Sequence, residues 1–366
     1  MKVGTGLAQG RHPTAELATQ AVKQALDQAG LEIANSVLLF LSEDFAPAPQ
    51  SALRAAAVAA STTQVSGCSA PGILTQDDWV LDGSAAAALV LGDGAAIVPA
   101  KELDHRQLLT LAAPNAFNST WLAAPGQRFG GVAGDATGLG AFSVWESGKG
   151  VLSTHCDLRL DGVTGAVAVA HALQPIGAPQ RIERVDQHDL LVVSGLSVLQ
   201  QSAWASLVNA LDHAGIAHDA GIPFHRVMLM LAESETALAR DEYQVVAIIG
   251  ADAHAQTVTL AHEVTPGSWF AWAILDREAA QQRLAETIVS VGGNLHDKPA
   301  FGLMFSCLAR GPHFYDGVDD DIALLKRYYP GMPLIGFYGN GEIAPTPGGN
   351  ALWQHSVVLG LFTAEN

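Results

Sequence analysis

The sequence predicts an α/β protein made of two related α/β domains with mixed β-sheets, the outcome of an internal duplication. Two glycine-rich stretches carry that prediction. Pro333-Leu334-Ile335-Gly336-Phe337-Tyr338-Gly339-Asn340-Gly341-Glu342-Ile343-Ala344-Pro345 enters as an apolar pair, bends through three glycines and stops at a proline. Gln64-Val65-Ser66-Gly67-Cys68-Ser69-Ala70-Pro71-Gly72-Ile73-Leu74 has the same outline, and one offset matches Gly67 to Gly336 and Gly72 to Gly341. A third observation extends the match upstream. Val37-Leu38-Leu39-Phe40-Leu41-Ser42 and Phe301-Gly302-Leu303-Met304-Phe305-Ser306 are apolar runs that each end in serine. A helical segment lies between run and loop in both copies, at 48–61 and 319–329, and another precedes each run, at 14–29 and 276–290. A unit that occurs twice constrains the whole architecture.

The elements follow in chain order. Pro13 and Thr14 open a helix whose apolar stripe, Ala18, Ala21, Val22, Ala25, Leu26 and Ala29, has the 3.6-residue period, and Gly30 supplies its stop. The unbroken apolar run 37–41 fits a strand covered on both faces. Helix 48–61 is small on nearly every side and suits close packing. Gly92-Asp93-Gly94 between two apolar runs predicts a hairpin. The glycine-rich stretch 129–140 precedes strands at 141–146 and 166–172. Pro175 and Pro179 begin a polar connection, so 174–189 is the expected boundary, giving domains 1–186 and 187–366. The second half predicts a strand at 190–194, a helix at 197–214 ended by Gly215, and strands near 226–232, 244–249, 257–264 and 268–275. The second repeat unit and a closing strand at 356–362 complete the chain.

Composition narrows the function. A chain of 366 residues, 49% apolar and 15% charged, builds a substantial packed core. Its net charge of −17 makes nucleic acid and anionic membrane surfaces poor partners. Three cysteines, Cys68, Cys156 and Cys307, fit reduced thiols in the cytoplasm better than a disulfide scaffold. No signal peptide and no bilayer-spanning run are expected.

Several residues carry candidate chemistry. Cys68 and Cys307 sit at equivalent strand-to-loop bends, where a thiol serves as a nucleophile if a base is near; a buried, inert thiol is the commoner state. Gly67-Cys68-Ser69-Ala70-Pro71 nearly mimics a nucleophile elbow, but the final glycine is displaced to Gly72, which weakens Ser69 as a catalytic serine. The planar fork of Arg310 suits a ligand carboxylate or phosphate, or an ion pair with Glu342 or Asp135. Glu342 offers an acceptor for a ligand ammonium, so that Arg310 and Glu342 together would grip an amino acid. Asp135 suits a turn. Gly336, Gly339 and Gly341 do not form the dinucleotide fingerprint, and His254, His262 and Glu263 lack metal-site spacing, so neither cofactor nor metal is expected. Asp319-Asp320-Asp321 supplies charge at a helix N-terminus, and Trp269, Phe270 and Trp272 read as core.

Four motifs carry a resemblance to a known family. Val65-Ser66-Gly67-Cys68-Ser69-Ala70-Pro71-Gly72 and Phe129-Gly130-Gly131 through Gly134-Asp135 resemble signatures of the N-terminal FIST domain (F-box and intracellular signal transduction). Phe305-Ser306-Cys307-Leu308-Ala309-Arg310-Gly311 and Ile335-Gly336-Phe337 through Pro345 resemble signatures of the C-terminal FIST domain. The match runs from about 10 to 362, with Leu173-Gln174 standing before Pro175 where the family usually has Gly-Cys. The resemblance implies an intracellular sensory protein that binds a small polar metabolite, with amino acids as the proposed class, between its two glycine loops at the domain interface. With the two glycine loops facing one another, the expected ligand contacts are Gly67, Cys68, Ser69, Gly72, Asp135, Ser306, Cys307, Arg310, Tyr338, Asn340, Gly341 and Glu342. With no output domain fused, the signalling partner is expected to be a separate protein. The competing expectations are an enzyme with a Cys68 or Cys307 nucleophile acting on an acyl or amide substrate, and an adaptor without a ligand.

Overall fold

The computed structural model describes residues 1–101, 106–114, 119–134, 140–147, 150–152, 154–195, 200–346 and 349–365. The chain packs as two compact units, one of residues 1–171 with 281–366 and one of residues 172–280. A division at 186/187 falls inside the smaller unit, at the turn of a β-hairpin.

The larger unit repeats itself. Its first copy runs β1 (Lys2–Gly10), α1 (Ala15–Ala29), β2 (Ser36–Ser42), α2 (Gln50–Ala60), β3 (Val65–Ala70), β4 (Gly72–Thr75), β5 (Trp79–Val80) and β6 (Ser84–Gly92). There follow β7 (Ala96–Pro99), β8 (Gln107–Ala112), α3 (Ser119–Leu122), β9 (Gln127–Val132), β10 (Val144–Glu146), β11 (Gly150–Leu152), β12 (His155–Asp161) and β13 (Val163–His171). The smaller unit holds β14 (Leu173–Pro175), β15 (Gln180–Asp186), β16 (Asp189–Gly195), β17 (Gln201–Ser202), α4 (Ala203–His213), β18 (Val227–Ala232), α5 (Glu235–Ala239), β19 (Gln244–Asp252), β20 (Thr257–Leu260) and β21 (Trp269–Leu275). The chain ends with α6 (Arg277–Gly293), β22 (Phe301–Cys307), α7 (Asp320–Tyr328), β23 (Leu334–Gly339), β24 (Glu342–Thr346), β25 (Gly349–Trp353) and β26 (Ser356–Ala364).

In the first sheet β1, β6, β2 and β3 lie side by side, and in the second β13, β26, β22 and β23 do. The two quartets match strand for strand. The outer pair is antiparallel over nine residues, from Lys2↔Gly92 to Gly10↔Ser84 and from Val163↔Ala364 to His171↔Ser356. The next pair is antiparallel and the last is parallel in both. The smaller unit is inserted between β13 and β22 of the second copy. There β18, β19, β20, β16, β15 and β21 pair in a ring, because β18 also pairs with β21. The result is a closed antiparallel barrel whose core takes in Ala203, Leu207 and Leu211 of α4.

The glycine stretches are strands rather than open loops. Gly67 lies inside β3 opposite Leu39, and Gly336 lies inside β23 opposite Met304. A Cβ on Gly67 would come within 1.7 Å of the Leu39 carbonyl oxygen, and one on Gly336 within 1.6 Å of that of Met304. Each glycine therefore serves the same close approach between neighbouring backbones. Pro345 does not end the ladder: it sits in β24 opposite Asn350. The hairpin expected around Asp93-Gly94 is also corrected. The turn exists, with positive φ at Asp93 (57°) and Gly94 (91°), but β6 stays between β1 and β2 while β7 pairs with β12 in a third sheet. Local turn chemistry cannot report that the chain changes sheets.

Burial follows the expected patterns. Helix α1 buries Leu17, Ala18, Ala21, Val22, Ala25 and Leu26, and Gly30 caps it in the left-handed conformation (φ 61°). Between the two repeated quartets, Phe40 of the first copy stands 6.3 Å from its counterpart Phe305 and 5.0 Å from Phe337, both edge-on. Phe129 and Phe362 continue this aromatic core, with ring centroids 5.7 Å apart. Phe270 and Trp272 are core residues of the barrel.

Candidate functional site

All four sequence motifs converge within the larger unit. Strand β4 of the first copy pairs antiparallel with β23 of the second, placing Gly72 opposite Tyr338. Cys307, at the end of β22, lies beside Gly339. Glu342, at the start of β24, lies opposite Gly131 of β9 on one side and Trp353 of β25 on the other. Between β23 and β24, the Asn340 backbone N–H donates to the Val132 carbonyl at 3.1 Å, and the Val132 N–H donates to the Gly341 carbonyl at 2.9 Å. The glycine motifs thus meet as paired strands of one unit, in place of two loops facing across a gap.

Glu342 is the centre of this convergence. Its side chain is completely buried. The Ser356 hydroxyl donates to Oε2 at 2.6 Å, while Oε1 has no hydrogen-bond partner among the described residues. Burial pushes the carboxyl well above the usual range, against the opposing pull of the Ser356 hydrogen bonds and the Arg310 charge. Cys307 is its neighbour in electrostatic terms. Burial first, and then Glu342, pushes that thiol up to about 12, although the backbone N–H groups of His355 and Ala309 favour a thiolate. His355 precedes Ser356 with φ 54°, and its Nδ1 is buried with no partner among the described residues. His171, opposite Ser356, has its ring 4.6 Å from that of Trp353, and burial with the Arg283 and Arg310 charges pushes it down to about 3.

Arg310 is held differently from either expectation. Its guanidinium is fully buried and forks onto Asp321, with Nε and Nη2 donating at 2.9 and 3.1 Å, while Nη1 donates to the Ala170 carbonyl at 2.7 Å. Burial alone would lower its pKa; Asp321 and then Tyr315 outweigh this and raise it. Tyr315 donates to Asp321 at 2.8 Å, and Tyr338 donates to Asp319. Asp319 also caps α7 by accepting the Ile322 N–H at 2.8 Å. The expected carboxylate fork is therefore occupied by Asp321, which the sequence reading had assigned only to helix-end charge.

The remaining sequence candidates lie apart from Glu342 or outside the described residues. Gly67, Cys68 and Ser69 belong to β3 on the first sheet, where Cys68 pairs with Val144. Burial, and then Cys156, raises the Cys68 thiol well above its usual value. Neither Cys68 nor Cys307 has the surroundings of an activated thiolate. Ser69 and Ser143 exchange hydrogen bonds at 3.2 and 3.4 Å, which gives Ser69 a structural partner. Ser306 is buried within β22 beside Tyr338. Asp135 lies outside the described residues. The sequence reading missed Ser356, His355 and His171. The signal for Ser356 was available, since the strand it opens repeats β6, which also opens on a serine, Ser84.

Two family models cover most of the chain. The FIST N domain model matches residues 35–193 and the FIST C domain model matches residues 202–345. The chain belongs to the FIST family. FIST domains are associated with small-ligand sensing and signal transduction. The β4–β23 pairing is thus a contact between the N-model and C-model segments within a single compact unit. An uncharacterized protein of Mycobacterium bovis is 25% identical over 211 residues, covering 57% of this chain and 53% of that protein. An uncharacterized protein of Mycobacterium tuberculosis is 24% identical over 205 residues, covering 56% and 52%. The chain therefore spans about half the length of these curated relatives. F-box only protein 22 of Homo sapiens is 36% identical over 67 residues, covering 18% of this chain and 15% of that one. No described helix is long and apolar enough to cross a membrane.

Proposed function

We propose that this FIST protein is an intracellular sensor, the repeated quartets being the product of a duplication that built its ligand site. It binds a small polar metabolite, with amino acids as the favoured class, beside Glu342 in the larger unit. Occupancy is passed to a separate signalling protein through a shift in conformational population. The observation that carries this reading is the buried Glu342 carboxyl with Oε1 unpartnered among the described residues. Leaving a buried polar group unpaired costs about 1–3 kcal/mol, so a donor from a ligand, such as an ammonium or hydroxyl, gains that penalty back on binding. The buried His355 Nδ1, next in sequence to Ser356 and without a partner among the described residues, offers a second polar contact. Asn340, Gly341 and Cys307 complete the backbone and side-chain surroundings, and the buried Arg310 charge acts on both the Glu342 carboxyl and the Cys307 thiol.

A thermal-shift screen of the full chain against the amino acids and other small metabolites tests the reading. A ligand at about a hundred times its Kd stabilises the native state by roughly 2.7 kcal/mol, a readily measured rise in Tm. The expected result is a shift in wild type that Glu342→Gln reduces at least tenfold in apparent affinity. A panel without any hit, or a hit that Glu342→Gln binds equally well, contradicts it.

A further inference from the structure

The barrel unit carries a cavity of its own. It has a volume of about 270 Å³ and is lined by Gln180, Gln201, Ser206, Asn209, His213 and neighbouring small residues. Among the described residues no Asp, Glu, Lys or Arg lines it, in a chain whose net charge is −17. Such a lining selects against charged ligands, because an ion placed there would lose water without gaining a counter-charge.

Hydrogen-bond polarity in this cavity is fixed from the core outward. The Trp272 indole N–H can only donate, and it donates to the Ser206 hydroxyl at 2.8 Å. The Ser206 hydroxyl, itself buried, donates onward to Gln180 Oε1 at 2.7 Å. In this arrangement the Gln180 amide turns its oxygen toward Ser206. Gln201 Nε2 also points its donor at Gln180 Oε1, at 3.4 Å. Both acceptor sites of that oxygen are engaged, and Gln180 Nε2 remains as a donor with no partner among the described residues. His213, also in the lining, has Nδ1 2.6 Å from the Asn209 backbone carbonyl. A carbonyl only accepts, so Nδ1 carries the proton, and Nε2 is the ring nitrogen left for a ligand. Gln180 Nε2 therefore offers a donor, and His213 Nε2, in the tautomer protonated only at Nδ1, an acceptor.

We infer that this cavity is a second binding site, for a small uncharged ligand with an amide edge. The ligand carbonyl would accept from Gln180 Nε2 and its N–H would donate to His213 Nε2. Primary carboxamides, lactams and the edges of pyrimidine-like rings share this chemistry. A carboxylate of the same shape would set an unprotonated oxygen against the His213 acceptor, with no cationic side chain in the lining to offset its charge. The site lies wholly within residues 172–280 and is independent of Glu342.

Isothermal titration of the full chain with nicotinamide, uracil and nicotinate tests the assignment. The expected result is saturable binding of at least one of the two amide-edged probes, with nicotinate at least tenfold weaker, since a site built for a donor discriminates strongly against its absence. Gln180→Glu keeps the oxygen that Ser206 requires and removes the free donor, and it is expected to weaken binding at least tenfold. His213→Ala, at an exposed position, is the second variant and should weaken it similarly without loss of fold. Glu342→Gln should leave it unchanged, which separates this site from the one in the larger unit. Absence of saturation by both amide probes, equal binding of nicotinate, or full affinity in both Gln180→Glu and His213→Ala would overturn the inference.

Discussion

At the residue scale, two buried clusters decide the behaviour of the larger unit. Arg310 was legible in the sequence as an unusual charge among apolar neighbours. Its partner was not, because the helical phase of Asp321 does not reveal which strand end it faces. Removing one member of a buried pair strands the other, so Arg310→Met should lose about 3–5 kcal/mol in a urea titration, and the double variant with Asp321→Leu should recover most of it. Asp319 provides a pH signature. Burial, and then the Asp321 charge, push it up to about 6, from an unfolded value near 3.8. Between these values the folded chain binds more protons than the unfolded one, so the contribution of Asp319 is complete below about pH 4 and is withdrawn as pH rises to about 6. Asp319→Asn keeps the helix cap and removes this titration. Its stability relative to wild type should therefore rise by roughly 2–3 kcal/mol between pH 4 and pH 7. His171 acts in the opposite sense. Its depressed value withdraws stability as pH falls from about 6.5 toward 3, and comparing variant with wild type at each pH cancels that background.

At the scale of elements, helices and strands were largely legible, since their signals are local. The stripe of α1, its Gly30 stop, the small-sided α2 and the apolar runs of β2 and β22 all correspond to sequence periodicity and end signals. Pairing was less legible, because it depends on which sheet receives a strand. The Asp93-Gly94 turn shows this: turn residues marked the bend correctly but not the transfer of β7 to β12. The glycine spacing was real as well, yet its cause is close packing of parallel neighbours rather than a loop around a ligand. Gly67→Ala and Gly336→Ala should each destabilise by about 3 kcal/mol or more, at the upper end of overpacking effects, because the obstructing atom is a backbone carbonyl that cannot rotate away. Chemical denaturation of the two variants measures this directly. A loss below about 1 kcal/mol at both positions would mean that the strands separate easily.

At the scale of the whole molecule, the repeated strand quartets were legible from one constant offset between the glycine stretches. The nesting of the barrel inside the second copy was not, since an insertion leaves no composition change at 171 or 280. The Asp276 N–H donates to the Ala172 carbonyl at 3.0 Å, so the two ends of the insertion lie side by side. A chain of residues 172–280 should therefore fold alone, with strand-rich circular dichroism and one cooperative thermal transition. A non-cooperative melt would contradict its autonomy. The functional proposal depends on the same long-range assembly, since Gly72, Gly131, Cys307, Tyr338 and Glu342 become neighbours only through pairing between β4 and β23 and between β9 and β24. The carboxylate that matters was named from sequence; its unpartnered oxygen could be seen only once Ser356 and His355 were in place around it.

The most direct measurement is a crystal structure of the full chain grown with the best hit of the metabolite screen. The account predicts ligand density with a donor atom within about 3.2 Å of Glu342 Oε1. Density for that ligand elsewhere, with Glu342 Oε1 closed off by protein side chains, would contradict it.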